Sequence, residues 1–153
     1  KIPLPGGRYY LVESRQPVRS DKVQPDSGIL ILKIDPAAPE GSGTVRVMDA
    51  DPKSPHLSRA AFRLDQENRN LFVDRENNVA VIPLWAQGEN QGALVTTAEK
   101  SQEALQATLM IRQLWQHYPE PRSGKEKQVI EECQTAFKRF DFKKSYQIGK
   151  RGF

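Results

Sequence analysis

Cysteine is almost missing from this chain: Cys133 is the only one in 153 residues. No internal disulfide can form, so the fold is not a disulfide-built scaffold, although secretion stays open. Histidine is nearly as scarce, with only His56 and His117, 61 residues apart. A zinc hydrolase helix needs two imidazoles one turn apart plus a carboxylate base, and no His-Glu-x-x-His stretch is present. His56 lies in a proline-bounded loop, and His117 closes a predicted helix, where its charge favours the C-terminal dipole. Both read as structural. There is no Gly-x-Ser-x-Gly elbow and no Cys-x-x-Cys-His haem motif, and Gly41, Gly43, Gly88 and Gly92 fit neither the P-loop nor the dinucleotide fingerprint. No complete catalytic constellation exists, so no catalytic residue is assigned and the chain alone is read as no enzyme.

Long apolar runs are missing too. The longest are four residues, such as Ile29 to Leu32, which reads as a buried strand, far short of the ~20 residues that span a bilayer; no membrane partner is expected. The chain starts at Lys1 without methionine or a signal-peptide h-region, which reads as a processed or excised piece of a longer precursor. With 37% apolar residues and a mean hydropathy of −0.66, it is polar with a modest core. Its length suits one domain, or one domain plus a small helical appendage.

Charge is unevenly placed. Residues 1–95 carry twelve basic and twelve acidic side chains, whereas residues 96–153 carry eleven against seven and supply the whole net charge of +4. Lys138, Arg139, Lys143, Lys144, Lys150 and Arg151 cluster at the end, against Asp141 alone.

The first ninety-five residues read as β. "YYLVES" and "ILILKI" are strand-like, linked by a polar connection with Pro17, Pro25 and Gly28. "TVRVMDA" alternates Val45 and Val47 inward against Thr44 and Arg46 outward. "LSRAAFRL" reads as a short helix or turn. "NLFVD" and "NNVAVIPLW" are strands around "DRENN", "GENQG" is a turn and "ALVT" a last strand. Frequent turns between short strands point to a sandwich or half-barrel. The period then changes. Thr96 and Glu99 have capping-box spacing, so a helix should begin there. Ala104, Thr108, Ile111, Trp115 and Tyr118 form its stripe, widened by Leu105, Leu109 and Leu114. Ser123 with Glu126 repeats the box across "PEPRSG". Val129, Ile130, Cys133, Ala136, Phe137 and Phe140 then make a second apolar face, with a loose or extended tail after Phe142. The fold class is α+β: an antiparallel β-sandwich or half-barrel over 1–95, then an αα-hairpin with a basic tail over 96–153, packed on the first.

Asp49 and Asp51 in "DADP" are the candidate metal ligands. Carboxylates at i and i+2 of a loop can both turn to a hard cation such as calcium, although the later ligands of an EF-hand are absent and turn-capping accounts for both residues. No other cofactor is expected. Glu13 and Arg15 share one strand face, either paired toward the core or forming a weak surface pair. Cys133 reads as a small hydrophobe. The tail "FKRFDFKKSYQIGKRGF" interleaves phenylalanines with cations, a pattern able to bind single-stranded nucleic acid, yet it equally describes a helix end docked on its own protein. The second reading is preferred, and nucleic acid is not expected as a partner.

The series "YYLVESRQ", "SDK", "PDSGILILKID", "VRVMDADP" and "LSRAAFRL" resembles a segment of the immune inhibitor A-like secreted zinc metallopeptidases. The resemblance runs over about residues 8–105, including "NNVAVIPL" and "LVTTAEKSQEAL". It implies the non-catalytic, β-rich part that follows the zinc-helix domain of such a protease, and hence an extracellular location. Two departures stand out: Arg59 replaces the Asp usual before Ala-Ala-Phe, and Asp26 replaces a turn Gly. The first removes a carboxylate from any metal site near Asp49 and Asp51. Glu13 and Arg15 then belong to an architectural motif. The expected role is an accessory domain or processed fragment that packs on a catalytic metallopeptidase domain or on identical subunits. The alternative is a stand-alone interaction module that self-assembles outside the cell.

Overall fold

The computed structural model describes residues 1–16, 26–87, 90–120 and 123–153. The connection with Pro17 and Pro25, the Gly88-Glu89 part of the expected turn and Pro121-Arg122 between the helices lie outside them. The chain divides into two compact units, Lys1–Val95 and Thr96–Phe153. The class is α+β, with two antiparallel sheets in a sandwich or half-barrel arrangement and three C-terminal helices.

In the first unit, β1 (Ile2–Pro3), β2 (Tyr9–Arg15), β3 (Gly28–Ile34) and β4 (Val45–Val47) form one antiparallel sheet in that order. A second sheet orders β5 (Phe72–Asp74), β6 (Val79–Gln87) and β7 (Asn90–Thr96). The β2–β3 register pairs Glu13 with Leu30 and Arg15 with Gly28. Strand alternation therefore sends Tyr10, Val12, Ile29 and Ile31 to one face, where they meet Phe62, Phe72, Val79 and Val81 in a single core. Phe72 sits edge-on to both Tyr10 and Phe62, with ring centroids 5.1 and 5.7 Å away. The "LSRAAFRL" stretch forms turns, and its Phe62 exchanges both backbone hydrogen bonds with Ile29. That close approach explains Gly28. Its φ is +140°, and a Cβ there would lie 2.5 Å from the Phe62 carbonyl oxygen.

Two strand expectations are corrected. Val45 is 55% exposed rather than inward, because β4 is an edge strand and the core-facing residues beyond it are Met48 and Ala50. Asn90, Gln91 and Gly92 are strand, not turn, since β7 starts at Asn90.

In the second unit, α1 (Ser101–His117) has its N-cap at Lys100, four residues later than the Thr96 box predicts. Thr96 extends β7, and Thr97 takes up the turn by accepting from the Lys100 amide. The buried stripe of α1 runs through Ala104, Ala107, Thr108, Ile111 and Leu114, whereas Trp115 is exposed. α2 (Gly124–Lys138) has the expected reciprocal box between Ser123 and Glu126. It ends before Phe140, which has φ +60° and stands 53% exposed instead of joining the buried face. The expected loose tail is a helix, α3 (Phe142–Gly149), capped by Asp141, whose carboxylate accepts from the Lys144 amide. Phe142, Ser145 and Ile148 recur at three-residue spacing and are buried.

Candidate functional site

The residues singled out by their chemistry divide into those tied into their own unit, Asp49, Asp51, Cys133 and His117, and those without an ion pair among the described residues, Glu13, Arg15, His56 and the tail cations. Glu13 and Arg15 lie on the β2 face opposite Tyr10 and Val12, away from the aromatic core. No ion pair joins them among the described residues, so they are neither a buried pair nor a surface one.

Asp49 and Asp51 are brought together in the loop after β4. Asp49 Oδ1 accepts from the Asp51 amide at 3.0 Å, an Asx turn. Asp51 is buried, and its Oδ2 accepts from Ser54 Oγ at 3.0 Å. The Arg59 guanidinium lies 3.5 Å from the same oxygen. A cation from the chain itself thus faces this carboxylate, at the position where the resemblance expects an acid. Among the described residues no group of three or more His, Cys, Asp or Glu side chains is placed to hold a metal ion.

Sequence reasoning missed the two strongest polar sites. Tyr10 is 1% exposed, and its hydroxyl donates to Asp74 Oδ2 at 2.6 Å, joining β2 of one sheet to β5 of the other. Asn77 donates to the same carboxylate from its amide and its side chain. Burial raises the Tyr10 phenol far above its usual range, and the Asp74 carboxylate adds to the shift. For Asp74, burial alone would raise its pKa, but the donors from Tyr10 and Asn77 outweigh it and hold the carboxyl below its usual range. The other site joins Arg69, 3% exposed, to Asp26 Oδ2 at 2.6 Å. Arg69 also donates to the Arg59 carbonyl at 3.0 Å, while Asp26 accepts from the Ala61 amide at 3.2 Å. The Arg69 Nε is buried without a hydrogen-bond partner among the described residues. The only signal for the first site was a tyrosine in a strand and an aspartate closing another. Pairing them requires knowing that the sheets face each other.

In the helical unit, Cys133 is fully buried, with its Sγ 3.2 Å from the Ser145 carbonyl, and Ser145 Oγ donates back to the Cys133 carbonyl at 2.8 Å. Burial pushes its thiol up, away from the reactive thiolate. His56 is exposed at φ +56° in a 3-10 turn. His117 ends α1 and packs on Tyr118 and Phe153, with ring centroids 4.5 and 5.2 Å away. The six tail cations are exposed and make no ion pair among the described residues. An open groove of about 660 Å³ beside them mixes both signs: Glu131, Glu132 and Asp141 against Arg139 and Lys144. No described helix is long and apolar enough to cross a membrane.

Within each unit these contacts tie its own elements to one another, and the surfaces present strand edges and charge. Comparison with protein-family models, curated proteins and solved structures gives no match.

Proposed function

We propose that the chain is a non-catalytic accessory domain of an immune inhibitor A-like extracellular metallopeptidase, acting by docking on a catalytic domain or on identical copies. The observation that carries this reading is where the resembling stretches lie. "YYLVESR", "GILILKID", "VRV" and "AAF" make one sheet and the strand-like segment hydrogen-bonded to it. The "DADP" loop keeps its Asx turn while Arg59 supplies the opposing charge, which favours architecture over calcium binding at Asp49 and Asp51. Secretion follows from the same resemblance. The test is a casein-degradation assay with added zinc on the chain alone, which should show no turnover. Chelator-sensitive turnover that is lost in His56→Ala would overturn the proposal. A separately expressed His-Glu-x-x-His domain of such a protease should retain the chain in a pull-down.

A further inference from the structure

Among the described residues the sheets of the strand unit end on four edge strands, and three of them are guarded against pairing with another strand. β1 has two residues and contains Pro3; β4 and β5 have three each and carry Arg46 and Asp74. Short length, proline and charge are the usual defences of an edge. β7 has none of them. It is seven residues long, "NQGALVT", without charge or proline. Its residues make no backbone hydrogen bond outside their own sheet among the described residues.

We propose that β7 is a self-association edge, pairing antiparallel with β7 of a second copy to continue the three-stranded sheet across a two-fold axis. The inference rests on reading the chain as a docking module and adds which partner it takes and where. Charge decides the occupant. Pairing β4 with its own copy in full-length antiparallel register confronts Arg46 with Arg46 on the symmetry axis, which is unfavourable, and β5 offers only three residues, with Asp74 already held by Tyr10 and Asn77. The neutral β7 meets its own copy with no such conflict, and it carries no charge with which to select a foreign strand. Full-length antiparallel register sets Ala93 opposite itself and Gln91 opposite Val95 of the other copy. Val95, 43% exposed, would gain cover in the pair.

Sedimentation velocity over a concentration series, with amide hydrogen exchange read at both ends of it, tests this. The chain should dimerise, and β7 amides should become protected as the dimer forms. The Gln91→Lys/Val95→Lys variant sets lysines against each other across the pair and should weaken association at least about ten-fold. Its thermal melt should stay near wild type, showing that the fold survives. A chain that remains monomeric to about 100 µM overturns the proposal. So does a dimer in which β7 amides stay unprotected and the double variant associates normally, an outcome that leaves the docking role intact. Protection of β7 seen only when a catalytic domain is added would assign the edge to that partner and overturn self-pairing.

Discussion

In the strand unit, segments far apart in sequence are tied by polar side chains, Tyr10 to Asp74 and Asp26 to Arg69. In the helical unit, close contact comes where side chains are small: Cys133 against Ser145, Gly149 against Met110 and Gly152 against Leu114. The difference follows from where backbone groups find partners. Helices satisfy their own ladder, so their packing is set mainly by shape, with local polar links such as Ser145 Oγ to the Cys133 carbonyl and the Tyr118 hydroxyl to the Gly152 carbonyl. Short strands joined by long loops leave amides and carbonyls unpaired locally, and side chains reach in to meet them, as Asp26 does for the Ala61 amide and Arg69 for the Arg59 carbonyl.

If polar ties hold the strand unit, breaking one should be the most damaging single change. Arg69→Met leaves Asp26 without its partner and should cost about 3–5 kcal/mol in urea denaturation. Adding Asp26→Asn should restore at least half of that, because most of the loss is the uncompensated charge. A double variant as unstable as the single would mean that Arg69 acts through packing alone, and the contrast between units would fail.

The glycines sharpen the same contrast. At Gly28 an added methyl meets a backbone carbonyl at 2.5 Å and the φ of +140° is itself strained, so Gly28→Ala should cost about 3 kcal/mol. At Gly149 the methyl meets Met110 Cγ at 2.3 Å, but a methionine chain can turn aside, so Gly149→Ala should cost about 1–2 kcal/mol. Equal losses would show that side-chain adaptability does not distinguish the units.

Tyr10→Phe removes the hydroxyl but keeps the ring, and should cost about 1–2 kcal/mol near neutral pH. The pH dependence identifies the cause. Asp74 has a lowered pKa in the folded chain, so its stabilisation is complete above the ordinary carboxylate value near 4 and is lost as pH falls through the folded value. Tyr10 has a raised pKa, so its share is complete below the ordinary phenol value near 10 and is lost as pH rises toward the folded value. The variant's stability should therefore lie furthest below wild type between about pH 4 and 10 and converge at both ends. A gap that is constant with pH would remove the hydrogen bond from the explanation.

Local signals carried much of this fold and long-range ones did not. Ser123 and Glu126 set a helix start because both partners lie within one turn, and "ILILKI" is a strand by composition alone. The Thr96 box failed because a β-branched residue at the end of a ladder gains more from the strand than from capping. The third helix was hidden because eight residues give too few turns for a periodic stripe, and Ser145 reads as polar until Cys133 is known to face it. Of the candidate site residues, Asp49 and Asp51 were legible as a turn, since the second amide bonds the first carboxylate. Arg59 against Asp51 depends on how an irregular loop returns, and no spacing rule encodes that.

The smallest effect belongs to the basic face. Lys143 and Lys144 are exposed and make no ion pair among the described residues. Lys143→Gln/Lys144→Gln should therefore change stability by no more than about 0.5 kcal/mol. The rival view, a nucleic-acid-binding tail, ranks these residues highest: neutralising Lys138, Lys143, Lys144 and Lys150 would abolish binding while leaving the fold untouched. Exposed Phe140 offers a stacking platform beside these cations, so the two views need separating by salt. Four phosphate contacts to a single strand imply a loss of two to three orders of magnitude in affinity between about 20 and 150 mM salt, through counterion release. With Glu131, Glu132 and Asp141 beside Arg139 and Lys144 in the adjoining groove, net attraction is small. An oligonucleotide titration should find weak binding, indifferent to base sequence, that disappears at about 150 mM salt. Tight binding persisting at that salt, and lost on neutralising the four lysines, would make the tail the functional surface of the helical unit.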